Sequence, residues 1–158
     1  MEEYKIEMKI NGERLVATTQ ADESLLKFLR RNGFFEVKCG CEKGECGTCT
    51  VILQGKAVKS CITLALQANN KEVWTIRGME KFELGRKLQE SFVQYGAIQC
   101  GFCTPGMILV AKAYLDKNPI PDRKEIKREI AGNLCRCTGY KKIIDAIYAV
   151  AEENKKMN

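Results

Sequence analysis

The chain has 158 residues, enough for one medium domain or two small ones that would each bury only a modest apolar core. Its formal charge of +6 arises from 26 basic residues interspersed with 20 acidic ones, without the dense basic block that grips nucleic acid. Nine cysteines with no histidine exclude a histidine general base and mixed Cys/His metal sites, and no signal-peptide core opens the sequence, so the chain is expected in the cytoplasm.

From Tyr4, KIEMKI and ERLVATT alternate apolar and polar residues around Asn11-Gly12, the dipeptide favoured in two-residue turns, which predicts a β-hairpin. Asp22 then precedes ESLLKFLRRNG, where Leu25, Leu26, Phe28 and Leu29 make an apolar helix face and Gly33 stands where a helix ends. Thr50–Leu53, the turn Gln54-Gly55 and residues 56–58 read as a second hairpin, and residues 72–76 as a closing strand containing Trp74, a core residue. Hairpin, helix and further strands imply a small α+β domain with a mixed sheet over one helix.

Beyond Gly78 the periodicity changes from strand to helix. Residues 82–95, 105–117, 122–131 and 140–153 read as helices, with Pro105 near a start and Asp122 at a cap. The expected division is therefore residues 1–78 and 79–158, without a long linker or an internal repeat. The longest apolar stretch, from Met107 to Ala111, is cut by Lys112, far short of the roughly 20 residues that span a bilayer.

In a reducing compartment clustered cysteines more often bind metal than form disulfides. The first group, Cys41, Cys46, Cys49 and Cys61, has the spacing C-x4-C-x2-C followed by x11-C, close to that of plant-type ferredoxins. A 2Fe-2S centre is a flat anionic rhomb that needs four thiolates and a closely wrapped backbone, and Gly40, Gly44 and Gly47 permit that approach. The alternative is a four-cysteine zinc site, for which C-x2-C pairs at both ends are expected; only Cys46 and Cys49 form one.

The second group is Cys100 and Cys103 in AIQCGFCTPG with Cys135 and Cys137 in GNLCRCTGY. Two helices intervene, so the pairs are expected to meet at helix ends, with Pro105 and Thr138 marking starts whose amides face an anionic centre. C-x-C is unusual in zinc knuckles, yet two short pairs can bind zinc as well as iron and sulfide. Two oxidised 2Fe-2S centres of charge roughly −2 would offset about four of the positive charges, so the basic balance is weak evidence for an acidic partner.

Taken together, GCEKGECGTCTV, Ser60-Cys61, IQCGFCTPGM and GNLCRCTGY resemble, in order, the iron-sulfur subunit of the xanthine dehydrogenase family of molybdenum hydroxylases. The resemblance implies a ubiquitin-like, plant-ferredoxin-like β-grasp domain whose 2Fe-2S cluster is held by Cys41, Cys46, Cys49 and Cys61. It implies a following all-α four-helix domain whose second cluster is held by Cys100, Cys103, Cys135 and Cys137. Further implications are a molybdopterin-binding large subunit as partner and an FAD-binding medium subunit, with both cofactors outside this chain. Electrons would run from molybdenum through the helical-domain cluster and then the β-grasp cluster to flavin or another acceptor. Gln99, through its amide, and Cys137, through its ligating sulfur, are the expected pterin contacts.

Cys39 is a departure, since the family pattern requires no cysteine there, and it is expected not to be a ligand. Lys38, Lys43 and Arg136 flank the two groups and read as solvated charge. No Ser/His/Asp arrangement, phosphate loop or paired acid/base carboxylates are present, so no residue is assigned a catalytic role on an organic substrate.

Overall fold

A computed structural model describes residues 2–157; Met1 and Asn158, the outer limits of the two expected domains, lie outside them. The first half is built on alternation. In β1 (Glu3–Ile10) Ile6, Met8 and Ile10 point inward, and β2 (Glu13–Gln20) returns antiparallel with Met8 opposite Leu15. Asn11 and Gly12 take φ of 55 and 86°, the doubly left-handed turn that suits a twisted hairpin.

Helix α1 (Leu25–Arg31) lays Leu25, Leu26, Phe28 and Leu29 against the sheet. Its cap is Ser24, whose hydroxyl accepts the Lys27 N–H at 3.3 Å. β3 (Thr50–Leu53) and β4 (Lys56–Lys59) form the second hairpin over Gln54-Gly55.

β5 (Glu72–Trp74) inserts between the hairpins, parallel to β1 and antiparallel to β3, giving the order β2-β1-β5-β3-β4. It stops two residues before the expected end, because Thr75 is taken by Asn11. The Asn11 Nδ2 donates to Thr75 Oγ1 at 2.9 Å, and the Thr75 N–H donates to Asn11 Oδ1 at 2.8 Å. Residues Ile76–Lys81 then coil into a 3-10 helix. Asn11→Ala loses two buried hydrogen bonds and a residue type that tolerates the left-handed region, so a loss of about 2–4 kcal/mol is expected in denaturant unfolding.

The second half is helical: α2 (Glu83–Gln94), α3 (Thr104–Leu115), α4 (Arg123–Glu129) and α5 (Lys141–Met157). Helix α3 is buried on nearly every side, from Gly106 to Ala113, which its almost unbroken apolar sequence requires. Its one buried charge, Lys112, pairs with Asp116 at 2.5 Å and lies 4.1 Å from the centre of the Phe82 ring. Asp122 caps α4 in a reciprocal box with Glu125, as its position implied. Tyr140, with φ of 68°, cannot belong to α5, so the helix starts at Lys141 and Thr138 is not a helix start.

Two apolar clusters result, one between α1 and the sheet, the other around α3 and extending to Ile52 and Met79. Trp74 is half-buried and meets Phe82 edge-on at 4.6 Å, at the margin of the second cluster. Among the described residues no helix is long and apolar enough to cross a membrane.

Candidate metal centres

Residues 34–49, between α1 and β3, form neither helix nor strand, and they bring Cys41, Cys46 and Cys49 to one place. Cys61 arrives from the opposite side on a 3-10 turn, Ser60–Ile62, that follows β4. The loop winds around Cys41: its Sγ accepts the N–H groups of Lys43, Glu45 and Cys46, each at 3.4 Å. Those donors, the Cys46 amide foremost, favour thiolate and hold the Cys41 thiol down at about 6.

Cys46 lies against Cys41. A Cβ on Gly40 would sit 2.9 Å from the Cys46 Sγ, so the loop closes this tightly only without a side chain there. Cys49 is 2% exposed and contacts Cys61; burial, followed by that contact, pushes the Cys61 thiol up to about 11.

The second group is assembled from helix ends. Cys103 is the N-cap residue of α3, and Cys135 lies beyond the 3-10 turn (Ile130–Gly132) that finishes α4. These two form an inner pair packed on the helical core. Burial first, and the adjoining Cys135 second, push the Cys103 thiol up to about 12. Burial acts against the Cys135 thiolate too, but the hydroxyl and amide of Thr138 outweigh it and leave the thiol below its ordinary value.

The Thr138 hydroxyl donates to Cys135 Sγ at 3.2 Å, and the Cys135 N–H donates to the Tyr140 hydroxyl at 2.9 Å. Cys100 and Cys137 form an outer, exposed pair with sulfurs 3.6 Å apart. Gln99, also exposed, precedes Cys100 at that edge.

Each group therefore consists of two thiol pairs. Among the described residues no three His, Cys, Asp or Glu side chains gather on one ion position. A 2Fe-2S rhomb takes two thiolates at each iron, so the two-by-two arrangement and the amides aimed at sulfur fit it. Any metal entering must displace the protons that burial holds on Cys61 and Cys103.

Cys39 stands apart: it is exposed, and its thiol donates to Glu42 Oε1 at 3.3 Å. Arg136 and Lys43 are exposed and Lys38 half-buried, and it is the backbone N–H of Lys43 that turns to sulfur.

The groups also touch each other. The Leu134 N–H, one residue before Cys135, donates to the Cys46 carbonyl at 2.8 Å. The Thr48 hydroxyl donates to the Phe102 carbonyl, one residue before Cys103, at 3.0 Å. Sequence reading missed Thr48, Asn133 and Tyr140, and it singled out Thr138 for its amide but not for its hydroxyl. The last three lie inside the GNLCRCTGY segment, where polar side chains flanking cysteines could have flagged them.

Residues 8–74 match the 2Fe-2S iron-sulfur cluster binding domain family and residues 75–148 the 2Fe-2S binding domain family. The chain is 48% identical to the nicotinate dehydrogenase small FeS subunit of Eubacterium barkeri, over 95% of this chain and 97% of that one. It is 42% identical to the xanthine dehydrogenase iron-sulfur-binding subunit of Escherichia coli O157:H7, over 92% and 93%. The crystal structure of quinoline 2-oxidoreductase from Pseudomonas putida 86 superposes with a TM-score of 0.90 and 42% identity, covering 99% of this chain and 98% of its counterpart. The chain belongs to the 2Fe-2S iron-sulfur small subunits of the xanthine dehydrogenase family of molybdenum hydroxylases.

Proposed function

We propose that this chain is the electron-transfer subunit of a molybdenum hydroxylase, with Cys41, Cys46, Cys49 and Cys61 holding one 2Fe-2S cluster and Cys100, Cys103, Cys135 and Cys137 the other. The division falls at residues 78 and 79, between a β-grasp domain and a four-helix domain. The observation that carries the reading is the pairing of the thiols in each group together with the backbone hydrogen bond from Leu134 N–H to the Cys46 carbonyl that joins the groups. When bound, the clusters supply one-electron carriers.

This chain's residues set direction by exposure. Cys100 and Cys137 are open at the surface, so that edge takes electrons from a molybdopterin in a partner large subunit, with Gln99 and Cys137 as the pterin contacts. Beside it Ile98, Phe102 and Leu134 leave apolar surface uncovered, as expected of a face that a partner covers. The β-grasp end then delivers electrons to an FAD-bearing subunit or another acceptor. Substrate hydroxylation belongs to the complex, and the isolated chain turns over no organic substrate.

Anaerobically prepared protein is expected to contain about four irons and four acid-labile sulfides per chain and to show two distinct paramagnetic signals on reduction. Stoichiometric zinc without sulfide would overturn the reading.

A further inference from the structure

Where the two thiol groups meet, three backbones come together with almost no intervening side chain. Asn133, only 3% exposed, projects from the segment leading to Cys135 into the loop of the first group. Its Nδ2 donates to the Gly47 carbonyl at 3.0 Å and lies 3.4 Å from Thr50 Oγ1. Thr50 in turn donates its hydroxyl to the same Gly47 carbonyl at 2.6 Å.

The third backbone is that of α3. A Cβ on Gly106 would stand 2.6 Å from the Gly47 carbonyl oxygen and 2.9 Å from Asn133 Nδ2, so the helix reaches this point only as glycine. The loop of Cys46 and Cys49, the helix begun by Cys103 and the segment holding Cys135 are thereby pinned at one place. Resting on the two-cluster reading above, we propose that Asn133 is a positioning residue for electron transfer, fixing the approach of the two centres by tying the first loop to the second.

The physical reason is distance. Tunnelling decays exponentially with separation and faster across a gap than along bonds. The hydrogen bond from Leu134 N–H to the Cys46 carbonyl is the connection that Asn133, its immediate neighbour, holds in register. The Asn133 side chain directs its hydrogen bonds to Gly47 and Thr50, so its removal should spare each centre while loosening their mutual placement.

The test uses the full chain carrying its clusters, as wild type, Asn133→Ala, Thr50→Val and Ser91→Ala. Ser91 is a control: its buried hydroxyl bonds the Ala146 carbonyl at 2.7 Å, between α2 and α5. Iron and sulfide content, the magnetic splitting between the two reduced centres and the intramolecular transfer rate after flash reduction are read together.

Asn133→Ala should keep wild-type iron while transfer slows and the splitting changes, because the first loop is no longer tied to the segment holding Cys135. Thr50→Val should show a smaller change of the same sign, and Ser91→Ala none in either readout. Unaltered splitting and rate in Asn133→Ala would overturn the proposal. So would loss of iron from both Asn133→Ala and Thr50→Val, which would make the junction a cluster-retention device. A wild-type chain without iron and sulfide would instead refute the two-cluster reading.

Discussion

Cys103→Ser should halve the metal content, from about four irons to about two per chain, and leave a single paramagnetic signal on reduction. Cys103 is the most constrained of the cysteines in the second group. Its thiol is packed on the helical core, burial pushes it up to about 12, and it caps the helix on which the second half is built. A serine hydroxyl is a hard, protonated oxygen at that half-buried position and is a poor replacement for the soft thiolate that iron and sulfide prefer.

The consequence reaches beyond one ligand, because Cys103 and Cys135 together tie the start of α3 to the segment after α4. Without the cluster that tie is absent, and the melting temperature of the helical half should fall with the iron. In the assembled complex, substrate should no longer reduce the remaining centre. Cys39→Ser is the matched control, because that exposed thiol bonds Glu42 and not the four-cysteine group, and its iron content should equal wild type. Full iron in Cys103→Ser, or iron lost from Cys39→Ser, would contradict the ligand assignment.

What could be read beforehand follows from the range of each interaction. The Asn11-Gly12 hairpin, α1 and the four later helices announce themselves because turn chemistry and apolar periodicity act over a few residues. The cysteine spacings are equally local, and they single out both groups before any coordinates. β5 is different: a strand is legible at residues 72–76, but nothing in EVW says that it ends at Trp74 or lies between β1 and β3.

The 3-10 turns at Ser60–Ile62 and Ala65–Ala68 escape because one turn offers no repeat. Which thiols form inner and outer pairs depends on packing, as does the contact of Asn133 with Gly47 across 86 residues of sequence. A polar residue beside a cysteine motif hints at such a role but does not name its partner.

That long-range contact makes Gly47→Ala the second substitution of large expected effect. Gly47 has φ of +71°, where a Cβ costs about 1–2 kcal/mol in backbone strain alone. The added methyl would also overlap Asn133 Oδ1 and stand 2.5 Å from the Gly132 carbonyl oxygen, a backbone atom that cannot rotate away. Forced overpacking adds about 1–3 kcal/mol, so a total of about 2–5 kcal/mol is expected in unfolding of the cluster-loaded chain.

Gly55→Ala separates the two contributions. Gly55 has a nearly equal φ of +74°, yet a Cβ there meets nothing within 4 Å, so it should show the strain without the collision. The excess loss in Gly47→Ala over Gly55→Ala is then the cost of prising the first loop away from Asn133. It should be accompanied by faster oxidative bleaching of the first cluster, because the Cys46 carbonyl would be drawn off the Leu134 N–H. Equal losses in the two variants would mean that the halves are not held in contact at Gly47.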